Sequence, residues 1–311
     1  MPLARTLLAS ALLLALSACA ATVSPRAQAI PEGSVAPAPA VASATPVASA
    51  TVASTRANDN LNAVAWMQNS VEFRLLAGQT WRAALAQLDR AIKTPNWDAL
   101  AREDRPVPLA AALPTAVIVD IDETVLDNSP YQARLVRDDR EFNDADWERW
   151  VDERAARPVP GALEFAKAAH ARGVTIFYIS NRNAAQAVPT LANLRAAGFP
   201  VASDGQYLGL GLQVPDCVAK GSDKGCRRQL VGRTHRVLLQ VGDQVGDLVS
   251  IASNTPSGRE AAVRPYLGWV GERWFMIPNP SYGSWEGAMF DNDWKLPKES
   301  RRQRKLDALR Y

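Results

Sequence analysis

The sequence predicts an α/β fold: a Rossmann-like parallel sheet with a small, mainly helical cap and N-terminal helices. Three observations predict it. Ala116-Val117-Ile118-Val119 is a short, unbroken apolar run ending directly in acidic residues, as expected of a buried parallel strand with a site at its C-terminal edge. Downstream, strand-like and helix-like stretches alternate, which calls for a parallel sheet with right-handed crossovers. An insertion of roughly Asn128 to Arg157 separates the first strand from the next helix, and its Trp147 and Trp150 lie one helical turn apart, as in a helical cap over a site.

The chain opens with Arg5 followed by the apolar run Leu7 to Leu16, a layout of a secretory signal too short to remain a membrane span. The run ends in Leu16-Ser17-Ala18-Cys19, which resembles the bacterial lipobox. Residues 1–18 are therefore expected to be a lipoprotein signal peptide. Cys19 would be the lipidated mature N-terminus, anchoring the protein in the outer membrane, facing the periplasm or the cell surface. Residues 19–57 are nearly all Ala, Val, Pro, Ser and Thr, a composition that cannot bury a core and predicts a disordered tether. The folded domain is expected over 58–311, enough chain for one α/β core. Thirty-five Lys and Arg against 32 Asp and Glu are near balance, which excludes a charge-driven nucleic-acid polymer partner. Whether two copies pair as a homodimer is left open.

Leu61, Val64, Met67, Val71 and Leu75, then Trp81, Leu85, Leu88 and Ile92, fall at helical spacing and predict two helices, or one kinked near Gly78. After the first strand, the expected elements are a helix over 160–172 closed by Gly173, a strand over 175–179 and a helix over 184–197 closed by Gly198. A strand over 236–241, a helix from about Gln244 and a last strand over 274–277 complete the sheet. The Lys/Arg run from Lys298 to Lys305 reads as a solvated helix face. In an oxidising compartment, Cys217 and Cys226 are expected to pair.

The chemistry concentrates in Val119-Asp120-Ile121-Asp122-Glu123-Thr124-Val125. Two carboxylates so close after a buried strand repel, unless a cation lies between them or one keeps its proton. Both conditions suit phosphoryl transfer, with Asp120 attacking phosphorus and Asp122 moving protons. A calcium loop also opens Asp-x-Asp, but it needs glycine at its sixth position and glutamate at its twelfth, where this chain has Val125 and Tyr131. Ser180, with Asn181 and Arg182 after the second strand, is placed to hold phosphoryl oxygens. Asp243 and Asp247, after a third strand, supply the hard oxygen ligands of a Mg²⁺ site, Asp247 either as ligand or as an orienting carboxylate. Lys224 is the candidate fixed cation, in a loop that a disulfide from Cys226 would stiffen, and Lys220 competes with it.

At these residues the chain resembles the haloacid dehalogenase superfamily, and within it the class C acid phosphatases, bacterial outer-membrane lipoprotein 5'-nucleotidases. The likeness includes Trp66-Met67-Gln68, Asp120 to Thr124, Leu126 to Tyr131, Asp146-Trp147, Arg149 to Asp152, Val159-Pro160-Gly161, Ser180-Asn181-Arg182, Val241-Gly242-Asp243, Asn279, Tyr282-Gly283 and Trp285-Glu286-Gly287. The resemblance implies a sheet of the haloacid dehalogenase type and a Mg²⁺-dependent phosphomonoesterase with Asp120 as nucleophile. It further implies Asp122 as acid/base, also giving its backbone carbonyl to the metal, and Asp243 as metal ligand. Aromatic side chains stack on the nucleoside base in this family. Tyr282 lies in the corresponding segment, with Tyr131, Trp147, Trp150 and Trp285 as further candidates. A haem- or nucleotide-capturing lipoprotein would need a pocket but no nucleophile, and a dehalogenase would not need Asp122. A phosphotransferase acting on another alcohol fits the same motifs.

Overall fold

The computed structural model describes residues 57–105 and 113–311. The expected signal peptide, Cys19 and the tether to residue 56 lie outside the described residues. Two helices come first, α1 (Leu61–Asn69) and α2 (Val71–Lys93). They part at Ser70, whose hydroxyl accepts from the Phe73 N–H at 3.0 Å and caps α2, and not at Gly78, which lies inside it. The buried stripe of α2 is Phe73, Ala77, Trp81, Ala84, Leu88 and Ala91. Val71 and Leu75, placed by their spacing on the inner face, are exposed. Open carbonyls at the end of α2 find donors near and far: Thr94 Oγ1 donates to the carbonyl of Arg90, and the buried Arg236 guanidinium to those of Ala91, Ile92 and the cap residue Thr94.

Then come β1 (Thr115–Val119), a two-residue β2 (Leu126–Asp127), α3 (Ser129–Arg137), α4 (Asp144–Glu153) and β3 (Arg157–Pro158). β2 pairs antiparallel with β3, closing the base of the inserted helical pair. The chain continues through α5 (Ala162–Ala171), β4 (Thr175–Asn183), α6 (Ala187–Ala196), β5 (Tyr207–Leu210), α7 (Gly225–Thr234), β6 (Arg236–Gly242) and the single turn α8 (Val245–Leu248). It ends in α9 (Pro256–Val263), β7 (Trp274–Met276), α10 (Ser284–Gly287) and α11 (Lys298–Asp307). The sheet order is β5-β4-β1-β6-β7, with every neighbouring pair parallel. The edge strand β5 was not expected: Tyr-Leu-Gly-Leu is too short and glycine-broken to stand out as a run. β4 runs four residues beyond Ile179 and so carries Ser180 and Arg182 within the strand itself.

Side chains of β1 alternate between two cores. Val117 and Val119 join the larger cluster under α2 and α5, while Ala116 and Ile118 join Leu208, Val231, Val237, Tyr266 and Trp274 on the other face. Gly161 lets α5 approach α2: a Cβ there would lie 3.0 Å from the Trp81 Cβ, and its φ of +91° also favours glycine. The basic run at 298–305 is not merely solvated. Lys298 and Arg301 pair with Asp139 and Glu141 of the insertion, and Lys305 with Glu286 and Asp59, so α11 ties three segments together. Among the described residues no helix is long and apolar enough to cross a membrane.

Candidate active site

The site lies at the C-terminal ends of the three central strands, where a parallel sheet presents its loops. Asp120 follows β1, Ser180 stands near the end of β4 and Asp243 follows β6. Hydrogen bonds between adjacent strands fix these positions, for instance from the Asp120 N–H to the Val241 carbonyl at 2.9 Å. Asp120, Asp243 and Asp247 are all buried, and one carboxylate oxygen from each lies within 4.8 Å of the others. The Lys224 ammonium, also buried, bonds to Asp120, lies 2.7 Å from Asp247 Oδ1 and donates to the Ile179 carbonyl at 2.9 Å. Thr124 Oγ1 lies 3.2 Å from both Asp120 Oδ2 and Asp243 Oδ1.

Electrostatics follow from this crowding. Burial pushes the Asp120 carboxyl well above the usual range, and Asp247 and Asp243 add to it while Lys224 opposes it. Burial and Asp247 raise Asp243 to about 7, against the bonds it accepts from Asn279 Nδ2 and Gln244 Nε2, both at 2.8 Å. Burial lowers the Lys224 pKa, but Asp120 and Asp247 outweigh it and keep the pKa above the ordinary value. With all three carboxylates ionised, the cluster and the one ammonium carry two net negative charges, which a divalent cation would neutralise. The donor set is all oxygen, as a hard cation such as Mg²⁺ prefers.

Asp247 is also built into its turn: Oδ2 accepts the Gln244 N–H at 2.8 Å while Oδ1 faces Lys224. Gly242 makes room for it, because a Cβ there would lie 2.4 Å from the Asp247 carboxylate. Lys224 is the N-cap residue just before α7, two residues before Cys226, which is disulfide-bonded to Cys217 with Cα atoms 5.7 Å apart. Lys220, the competing lysine, is exposed.

Asp122 stands apart from the acidic trio. Its Oδ1 accepts from Asn128 Nδ2 at 2.8 Å and Arg182 Nε at 2.9 Å, and its Oδ2 from Ser180 Oγ at 3.1 Å. Ser180 is wholly buried and Asn181 exposed, its side-chain oxygen accepting from Arg227 at 2.7 Å.

Two residues expected to contact substrate, Arg182 and Trp150, are buried and bonded within the protein. Arg182 is buried, and its guanidinium is committed to Asp122, Asn128 and Thr190 beneath the site, with Trp147 stacked 5.4 Å away. Trp150 is equally buried, donating through Nε1 to Asn128 at 2.7 Å and packed against Tyr131. Tyr282 is half-buried, with its hydroxyl donating to Glu123.

Sequence reasoning missed several residues of this network. Glu123 is fully buried with a left-handed φ of 59°, and burial raises its carboxyl to about 8. Arg227 donates to the Ser180 carbonyl at 2.5 Å, and burial brings its guanidinium down to about 10. Arg228 forms a buried ion pair with Asp104 and donates to the carbonyls of Gly246 and Asp247. Asn128, Gln244 and Asn279 complete the set. Glu123, Asn128 and Asn279 stood in the motif segments and Gln244 follows Asp243 directly, but nothing in their spacing gave their bonds, and Arg227 and Arg228 offered no signal.

Residues 32–285 match the family described as HAD superfamily, subfamily IIIB (Acid phosphatase). The chain is 27% identical over 165 residues to the Stem 31 kDa glycoprotein of Glycine max, covering 53% of this chain and 58% of that protein. It is 26% identical over 175 residues to Acid phosphatase 1 of Solanum lycopersicum, covering 53% and 57%. The chain thus spans a little over half the length of these curated relatives. Among solved structures it is similar to the class C acid phosphatase from Bacillus anthracis, with a TM-score of 0.70 and 31% identity over 81% of this chain and 97% of that one. The same values hold for that protein with tungstate bound.

Proposed function

The chain belongs to the acid phosphatases of HAD superfamily subfamily IIIB, and from that premise we propose that it hydrolyses phosphomonoesters, nucleoside 5'-monophosphates among them, with Mg²⁺ and through an aspartyl phosphate on Asp120. The observation that carries the reading is the buried trio Asp120, Asp243 and Asp247, two of whose members, Asp120 and Asp247, pair with the buried Lys224 ammonium.

An Asp120 oxygen attacks phosphorus, the bond to the leaving oxygen breaks, and Asp122 gives that oxygen its proton. Asp122 then takes a proton from water as the water oxygen attacks the aspartyl phosphate, releasing phosphate and restoring Asp120. Lys224 neutralises charge on the phosphoryl oxygens and favours the ionised form of Asp120 against the burial that raises its pKa. Ser180 supplies a hydroxyl to the same oxygens. Asp120, Asp243 and the Asp122 backbone carbonyl would hold the metal, with Asp247 as a further ligand or an orienting group. The ion, when bound, supplies charge stabilisation to the transferring phosphoryl group.

The purified protein is expected to hydrolyse p-nitrophenyl phosphate with Mg²⁺ and to stop on chelation. Asp120→Asn should abolish turnover with the circular dichroism spectrum unchanged, and full activity in that variant would sink the mechanism. Asp122→Asn should lose on the order of 10² to 10⁴ in rate, the usual worth of general acid/base help.

The same reading places the protein in the outer membrane through a lipid on Cys19, with the tether holding the folded domain away from the bilayer. The Leu-Ser-Ala-Cys segment supports it. Cys19→Ser should move the protein from the membrane fraction to the soluble one.

A further inference from the structure

Asn128 stands at the N-cap of α3, where an asparagine side chain ordinarily accepts a first-turn N–H. Here it makes no cap bond. The buried side chain is turned instead between the site and the cap. Its Nδ2 donates to Asp122 Oδ1 at 2.8 Å. Its Oδ1 accepts from Trp150 Nε1 of α4 at 2.7 Å and from Arg182 Nη2 at 3.3 Å. Its main-chain N–H donates to Glu123 Oε1 at 2.8 Å. These partners determine which way the amide faces, since indole and guanidinium only donate and a carboxylate only accepts. A flipped amide would set donors against donors in a dry site.

The consequence falls on Asp122. Its Oδ1 is taken up by Asn128 and the Arg182 guanidinium, whereas Oδ2 meets only the Ser180 hydroxyl, which is itself able to accept. We infer that Asn128 is a positioning residue that makes Oδ2 the proton-carrying oxygen of Asp122 and ties its orientation to the seating of the cap through Trp150. The inference rests on the reading of Asp122 as the group that protonates the leaving oxygen. Asn128 touches no reacting atom; it acts through Asp122.

The test uses leaving groups. A nitrophenolate departs as a stable anion and needs little proton help, whereas an alkoxide needs a well-placed acid. Asn128→Asp keeps the shape and the acceptor toward Trp150 and Arg182, but sets an oxygen where a donor faced Asp122. Its kcat/KM for ethyl phosphate is expected to fall by on the order of 10², within the range general acid help supplies, and at least tenfold more than its kcat/KM for p-nitrophenyl phosphate. Trp150→Phe keeps an aromatic ring against Tyr131, though a smaller one, and removes the N–H. It should show the same selectivity at roughly three- to tenfold, a fraction of the full general-acid contribution. Should Asn128→Asp fail to fold, the ratio in Trp150→Phe decides alone. Equal losses on the two substrates, or none, overturn the inference while leaving the phosphatase reading standing. If the unaltered protein hydrolyses neither ester, that reading falls and the inference falls with it.

Discussion

Tyr282 joins two parts of the site that are far apart in sequence, because its hydroxyl bonds Glu123 in the loop that carries Asp120 and Asp122. Two substitutions separate ring from hydroxyl. If the ring stacks on a nucleobase, Tyr282→Ala should raise KM for nucleoside monophosphates by roughly five- to a hundredfold, the worth of about 1 to 3 kcal/mol of stacking. KM for ethyl phosphate should change little, and Tyr282→Phe should keep nucleotide KM near that of the unaltered protein. Equal KM shifts on both substrates in Tyr282→Ala would remove the base-stacking role. That Asp120, Asp243 and Asp247 come together was legible in sequence, because they follow strand ends at one edge of the sheet, and Lys224, chosen from a loop before α7, joins them. The direction of a side chain there was not legible. Arg182 follows Ser180 by two residues on the same side of β4, and its guanidinium bonds Asp122, a direction fixed by Thr190 and Asn128 from other elements. Glu123 was passed over for the same reason: its partner Tyr282 is 159 residues away.

At the scale of elements, the lysine is the clearest case. Lys224 precedes α7 and owes its place to a loop closed by the Cys217–Cys226 disulfide and to Arg227, which bonds the carbonyls of Ser222 and Asp223. Opening that loop restores chain entropy to the unfolded state, so Cys217→Ser with Cys226→Ser should cost roughly 2 to 3 kcal/mol in urea unfolding. It should also lower kcat/KM several-fold as Lys224 loses its seat. An unchanged denaturation midpoint would show that α7 is held by packing alone. Element types were readable from periodicity. Their ends were set by caps and distant donors: Ser70 divides α1 from α2, and Arg236 closes α2 from across the sheet. The edge strand β5 owes its conformation to pairing with β4, a long-range bond invisible in four residues.

On the scale of the whole molecule, the site opposes the stability of the fold that holds it. Three buried carboxylates cluster with one lysine that pairs with only two of them, and Asp243 is held near pKa 7 by burial and by Asp247, above the ordinary carboxylate value of 3.8. A folded-state pKa raised above the unfolded one means the native protein binds more protons between those values. Metal-free stability is therefore highest below about pH 4 with respect to this group, and falls as pH rises through about 7. Asp243→Asn removes the charge while keeping the shape and the acceptor for Asn279 Nδ2. In chelator at pH 7 it should be more stable than the unaltered protein by on the order of 1 to 3 kcal/mol, with a flatter dependence between pH 4 and 7. Added Mg²⁺ should raise the Tm of the unaltered protein, since a ligand that binds only the folded state stabilises it. The variant should show little of that rise. Thermal melts of both proteins, with and without Mg²⁺ at pH 5 and pH 7, decide the matter. A variant less stable in chelator, yet equally stabilised by Mg²⁺, would mean that Asp243 serves the fold and not the metal.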